Sequence, residues 1–350
     1  MFENFLHLIR CPVTKEELSL RIISKKKKVF SGSEAEIIWE GVLFGGDQWF
    51  YPIINGVPRL IVDAFIDYKE FLKKYVLDYN LRKDFLFTKN TRLLKNSKKN
   101  NRSNKISFGQ EWQLYNYEKD KTWNLDAKQM LQQFLDETNE SAESLQGKLI
   151  LDAGCGNGYL NILLAEAGIP TVAMDISLSV VRAFDQNTNP TVFFLQGDIF
   201  FPPVAYLKFD LVHSSGVLVA THNPALAFSS IESCVKQNGK LSVWLYHPRK
   251  NSLHNLFNFT RRITSKLPIR LQYYLYAFTI LPITFILKKI KGTKQNNREM
   301  MIEILDWFSP KYRWEFNSEE VIAWYQKHNY TTIMITTKNI FGFNIIGTKK

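Results

Sequence analysis

Asp152, Gly154, Gly156 and Gly158 fall at every second position within KLILDAGCGNGYLNILLAEAG, residues 148–168, where an apolar run gives way to a helix-like pattern. A glycine-rich turn between a strand and a helix lets a ligand approach the backbone and meet the positive end of the helix. Two phosphate-binding readings fail on residue identity. A dinucleotide fingerprint needs glycine where Tyr159 stands, and a phosphate loop needs a Gly-Lys-Ser/Thr that is missing. Further carboxylates follow in order. Asp175 in TVAMDIS comes 17 residues after Gly158, Asp198 lies in LQGDI, and Asp210 opens FDLVHSSGVL, which carries Ser214 and Ser215 at its far end.

Asp152-x-Gly154-Cys155-Gly156-Asn157-Gly158 resembles the first motif of class I S-adenosylmethionine-dependent methyltransferases, and Asp175, Asp198 and the 209–218 stretch fall where the later motifs belong. The resemblance implies S-adenosylmethionine as cofactor. Its ammonium and sulfonium suit a turn that begins with a carboxylate, where a pyrophosphate would be repelled. By that resemblance Asp152 acts near the methionine portion through water or backbone amides. Asp175, followed by Ile176, accepts both ribose hydroxyls, Asp198 accepts the adenine amino group with the Ile199 amide against the ring, and Ser214 lies under the methyl donor. FGQEWQLYNYEKDKTW, 108–123, resembles the leading helix of methyltransferases acting on quinones, sugars and other small metabolites. Trp112, with Phe108 and Tyr115, is expected to cover the cofactor, since a cation is attracted to an aromatic face.

Methyl transfer needs alignment, and a base only where the acceptor must lose a proton. Candidates at the ends of the fourth and fifth strands are His213, His222, Tyr246 and His247, of which His222 and His247 are favoured. Related small-molecule methyltransferases read Gly-Val-Leu-His-His-Thr here. This chain has Val219 and Ala220 at the histidine positions, so that role does not carry over, and His222 lies two residues later.

The elements that must hold these residues alternate strand and helix from residue 148 onward, which predicts a parallel sheet covered on both faces. TTIMITTKNIFGFNIIGTK, 331–349, predicts a closing hairpin. The expected fold is therefore α/β, a Rossmann-like seven-stranded methyltransferase sheet with a terminal antiparallel hairpin. A small β-rich N-terminal domain spans 1–62, a helix and a basic Asn/Lys-rich linker span 63–107, and the methyltransferase domain spans 108–350 with a helical insertion at about 251–300.

Residues 1–62 resemble the zinc-ribbon-like domain that accompanies some methyltransferases, through Cys11, Pro12 and YPIINGVP at 51–58. Thr14 replaces the second cysteine and FGGDQ, 44–48, supplies no thiol, so the resemblance is to a degenerate ribbon without metal; a tetrahedral zinc site needs four N or S ligands. The insertion holds LQYYLYAFTILPITFIL, 271–287, without a charge but with basic flanks and Pro282 inside. It is short for a spanning helix. A lid over an apolar substrate is expected, with peripheral membrane contact through 255–295 and an oligomer interface as alternatives.

The net charge of +12 favours anionic partners, but much of it sits in KKKK, 25–28, and RLLKNSKKNNRSNK, 92–105, which lack interleaved aromatics for base stacking. Three dispersed cysteines imply no disulfide framework, and MFENFLHLIRCPVTKEEL lacks secretory-signal order. The expected compartment is the cytoplasm, with a peripheral position at the inner face of a membrane as the alternative. The expected acceptor is a small molecule, a lipid-linked compound or a glycan. An RNA base methyltransferase and a non-catalytic S-adenosylmethionine-binding protein are the competing readings; the oligomeric state is left open.

Overall fold

A computed structural model describes residues 1–115, 125–249, 252–293 and 295–350. The second half of the 108–123 stretch lies outside the described residues. The chain opens with four antiparallel strands, β1 Ser19–Phe30, β2 Ser33–Phe44, β3 Phe50–Ile54 and β4 Val57–Leu60. Helices α1 Ala64–Asp67, α2 Lys69–Tyr75 and α3 Tyr79–Leu114 follow, then α4 Ala127–Thr138 and α5 Ala142–Leu145. The alternating part runs β5 Ile150–Ala153, α6 Tyr159–Glu166, β6 Thr171–Asp175, α7 Ser179–Gln186, β7 Val192–Gly197, β8 Phe209–Ser215, α8 Pro224–Glu232 and β9 Val235–Tyr246. Helices α9 Ser252–Thr264, α10 Ile269–Ile290, α11 Asn297–Phe308 and α12 Ser318–Lys327 precede the hairpin β10 Tyr330–Lys338 and β11 Gly342–Lys349.

Among the described residues one sheet has the order β1-β2-β3-β4-β7-β6-β5-β8-β9-β11-β10. Its last seven positions, β7 to β10, are the expected methyltransferase sheet. Five strands run parallel, and β11 returns antiparallel against β9 with Ile345 opposite Val243. β5 and β6 are buried along their whole length, the pattern of parallel strands covered by helices on both faces.

Residues 1–62 do not stand apart. β4 runs parallel to β7, with Arg59 opposite Gln196 and Leu60 opposite Gly197, so the N-terminal strands extend the catalytic sheet. β7 would otherwise present an open row of backbone donors and acceptors. The cores merge too: Phe5, Trp49, Phe50, Tyr51 and Phe65 belong to the same buried cluster as Leu151, Val172, Leu195 and Val212.

The run 92–105, expected as a linker, lies within α3. Its buried positions include Leu94, Ser97, Asn101, Ser107 and Glu111, several of them four residues apart as on one helix face. Most of these are polar, so the face carries no apolar stripe to announce it.

Candidate functional site

The turn between β5 and α6 is locked from β6. The amides of Gly154 and Cys155 donate to the Met174 carbonyl at 2.7 and 3.0 Å. The Gly156 amide donates to Asp175 Oδ2 at 3.0 Å and the Ser177 amide to Asp175 Oδ1 at 2.8 Å. Burial pushes the Asp175 carboxyl up, against the pull of those amides. Two of the glycines are required for more than ligand approach. Gly154 has φ +104° and a Cβ there would lie 2.2 Å from the Val217 side chain; Gly156 has φ +55° and a Cβ would lie 3.0 Å from the Trp112 indole. Trp112 therefore sits on the turn itself. Asn157 Oδ1 accepts from the Tyr159 amide at 3.0 Å, and burial pushes the Cys155 thiol up.

Asp152 faces elsewhere than expected. Its Oδ2 accepts from Asn161 Nδ2 at 2.7 Å and its Oδ1 lies 3.5 Å from His213 Nδ1, while His213 Nε2 lies 2.9 Å from Glu137 Oε2. Burial works against charge on His213, but its contacts with the Asp152 and Glu137 carboxylates outweigh it and raise the pKa to about 9. The group is a buried brace between α4, β5 and β8, which also removes His213 from the candidate bases. Ser214 is likewise spent on structure, its hydroxyl donating to the Ala153 carbonyl at 2.8 Å.

Along the sheet edge, the Ile176 carbonyl accepts from Gln196 Nε2 at 2.9 Å, and Asp198 Oδ1 accepts from the Phe200 amide at 2.9 Å. Asp198 Oδ2 accepts from Asn101 Nδ2 of α3. Burial raises Asp198 to about 6, partly offset by the Phe200 amide and Asn101. Ile199 is buried beside it. Helix α3 thus roofs the site from Asp198 to the glycine turn. Arg182 of α7 fastens its end, Nη1 donating to the Trp112 carbonyl and Nη2 to the Tyr115 carbonyl, both at 2.8 Å.

Sequence reasoning passed over Glu111, which is fully buried with neither carboxylate oxygen hydrogen-bonded. Burial and the charges of Asp306 and Asp175 push its carboxyl well up. It lies inside the stretch quoted for its aromatics, and only the helical reading of 92–114 turns it toward the site. Asp306 of α11 accepts from the Tyr246 hydroxyl at 3.5 Å, and burial raises it to about 6. Arg313 covers the Tyr246 ring at 3.8 Å and the Trp307 ring at 4.2 Å.

The two favoured histidines part company. His222 is half-buried with its ring 4.2 Å from that of Phe200, two residues past Asp198, and burial followed by Lys311 lowers its pKa. His247 is also half-buried, but its Nδ1 lies 3.1 Å from the Pro248 carbonyl and its Nε2 3.1 Å from the Asn339 carbonyl at the hairpin. Successive strand residues point to opposite faces, so when Tyr246 faces Asp306 its neighbour is turned away.

Comparison with known proteins follows this geometry. Residues 151–243 match the family model of a methyltransferase domain. A demethylmenaquinone methyltransferase of Renibacterium salmoninarum is 30% identical over 104 residues, which is 30% of this chain and 44% of that protein. A malonyl-[acyl-carrier protein] O-methyltransferase of Pseudescherichia vulneris is 29% identical over 110 residues, 29% of this chain and 43% of that protein. The chain thus spans less than half the length of these curated relatives. The crystal structure of magnesium protoporphyrin IX methyltransferase from Synechocystis PCC 6803 with bound SAH is 16% identical with a TM-score of 0.38, covering 64% of this chain and 82% of that one.

Proposed function

We propose that this chain, whose residues 151–243 are a class I S-adenosylmethionine-dependent methyltransferase domain, transfers a methyl group to a small-molecule or lipid-linked acceptor. The observation that carries the reading is Glu111: a buried carboxylate without a hydrogen-bond partner, grouped electrostatically with Asp175 and Asp306 beside the glycine turn. An isolated buried carboxylate is costly, and a cation is what relieves it. S-adenosylmethionine carries two cationic centres, so the donor set fits it. When bound, it supplies an electrophilic methyl group on sulfur.

The chain's own residues then divide the work. Asp175 and Asp198 hold the ribose and adenine polar groups, while Glu111 and Trp112 face the positive end. Tyr246, Asp306 and Arg313 form the opposite wall, where a polar acceptor is held. Burial, followed by Lys311, lowers the pKa of His222 and so favours its neutral form, and it takes a proton from an acceptor that must lose one. The two relatives act on demethylmenaquinone and on malonyl-[acyl-carrier protein], both consistent with an acceptor that is not a macromolecular backbone. A glycan acceptor is compatible with the same wall. We place the enzyme in the cytoplasm.

Isothermal calorimetry of the full chain with S-adenosylmethionine tests the reading. Loss of charge-assisted hydrogen bonds in Asp175→Ala weakens binding by roughly 10- to 100-fold. No heat with the unsubstituted chain, or equal heats for both, overturns it.

A further inference from the structure

Helices α9 and α10 form a hairpin that packs on one side only. Tyr276 is buried, its hydroxyl donating to Thr264 Oγ1 at 2.7 Å, and it shares an apolar cluster with Met301, Ile304, Leu305 and Phe308. The other side is open and equally apolar. Tyr274, Phe278, Ile286 and Ile290 recur at multiples of four on α10 and are 60%, 80%, 58% and 78% exposed, with Phe259 and Ile263 of α9 also exposed. An apolar face of this kind needs a cover. α10 is long and apolar enough to cross a membrane, yet it is pinned through Tyr276 to α9 and α11 and contains Pro282.

Charge identifies what covers it. Residues 251–298 contain no Asp or Glu, and Arg262, Lys266, Arg270, Lys289 and Lys291 are exposed at the two ends of α10. Two copies of this face would bring like charges together. Beside the α9–α10 turn lies a cleft of about 600 Å³ against α3, lined by Lys98, Lys99, Lys266, Ser107 and Ser309 among others. The hydroxyls of Ser107 and Ser309 are buried, the residues 4% and 1% exposed, and neither has a hydrogen-bond partner. Three ammonium groups and two unused hydroxyl donors are the complement of a phosphate.

We infer that the α9–α10 hairpin docks on an anionic phospholipid surface, its outer face lying in the headgroup–acyl boundary and the Lys98–Lys99–Lys266 cleft holding a lipid phosphate. Amphipathic helices with basic flanks lie in that plane, and each basic side chain near the surface adds to the attraction. The inference does not depend on methyl transfer, since vesicle binding and S-adenosylmethionine binding are read separately.

Sedimentation of the full chain with sucrose-loaded vesicles tests it, comparing pure phosphatidylcholine with vesicles containing about 30% phosphatidylglycerol. The expected result is binding to the anionic vesicles only. Phe278→Gln/Ile286→Gln/Ile290→Gln, confined to exposed positions, lowers binding at least about tenfold with an unchanged circular dichroism spectrum. Lys98→Gln/Lys99→Gln/Lys266→Gln lowers it by about fivefold per charge removed. Equal sedimentation with both vesicle types, or triple variants that bind like the parent, overturns the inference. So does a lipid-free dimer in sedimentation velocity that the Phe278 triple variant dissociates, which assigns the face to a second copy. Copurifying RNA lost in the lysine variant, with no vesicle binding by the parent, assigns the cleft to nucleic acid and also overturns it.

Discussion

His213 Nε2 lies 2.9 Å from Glu137 Oε2, both side chains almost fully buried, and this contact joins α4 to β8, the strand beside β5 and its glycine turn. With Asp152 on its other nitrogen, the imidazolium is enclosed by two carboxylates. Removing it leaves both uncompensated, so His213→Ala lowers stability by about 3–5 kcal/mol in urea denaturation. The pH dependence has a definite sign. A histidine whose pKa is about 9 when folded and about 6.5 when unfolded contributes fully below pH 6.5, and that contribution is lost as pH rises through 9. The stability gap between parent and His213→Ala therefore narrows between pH 6.5 and pH 9; a gap constant over that range contradicts a charged His213.

Glu111 predicts separate effects on binding and stability. Burial favours the neutral form of the Glu111 carboxyl in the cofactor-free chain, so Glu111→Gln replaces one neutral group by another and changes stability by less than about 1 kcal/mol. The same change weakens S-adenosylmethionine binding by roughly tenfold or more, because a cation loses its counter-charge. Thermal denaturation and calorimetry on one preparation check both. A variant that loses both stability and affinity would assign Glu111 to packing instead.

Three side chains near the ends of β8 and β9 separate by rate. His222→Asn lowers kcat by roughly 100-fold and removes a fall in rate that the parent shows at acid pH, below the ordinary histidine pKa, because burial lowers the pKa of His222. Tyr246→Phe removes the hydroxyl facing Asp306 and raises KM for the acceptor more than it lowers kcat. His247→Ala changes neither beyond about twofold, since its ring nitrogens meet the backbone carbonyls of Pro248 and Asn339. Steady-state kinetics of the three variants with one acceptor decides the ranking.

The parallel sheet was readable from sequence because its strands are short apolar runs broken by helices, and Asp175 and Asp198 fall where strands stop. Asp175 and Asp198 needed only that local register. Glu111 and Asp306 did not announce themselves, being about two hundred residues apart and brought together by the packing of α3 against α11. The register of 92–105 was hidden by chemistry, since a buried helix face made of Ser97, Asn101, Ser107 and Glu111 has the composition of a loop. His222 and His247 looked alike as types near strand ends, and only their surroundings distinguish them, the Phe200 ring for one and backbone carbonyls for the other. The joint between β4 and β7 rests on two residue pairs, too little for a sequence pattern.

Cys11 supports a final prediction about metal. Its sulfur lies 3.2 Å from the Tyr51 hydroxyl and 3.5 Å from the Thr14 amide, so the knuckle is closed by hydrogen bonds to one sulfur. Backbone bonds complete it: the Lys15 amide donates to the Cys11 carbonyl and the Cys11 amide to the Glu16 carbonyl, each at 2.9 Å. What holds β1 to β4 is an aromatic cluster in which Trp49 stacks on Tyr51 and meets Phe65 edge-on. Chelation with EDTA therefore leaves the melting temperature within about 1 °C, whereas Trp49→Ala costs about 3–5 kcal/mol. Because that cluster is continuous with the core under β5 to β8, Trp49→Ala also lowers the melting temperature of the part of the chain that carries the glycine turn. Stoichiometric zinc by elemental analysis, with a melting point that falls on chelation, would overturn this assignment.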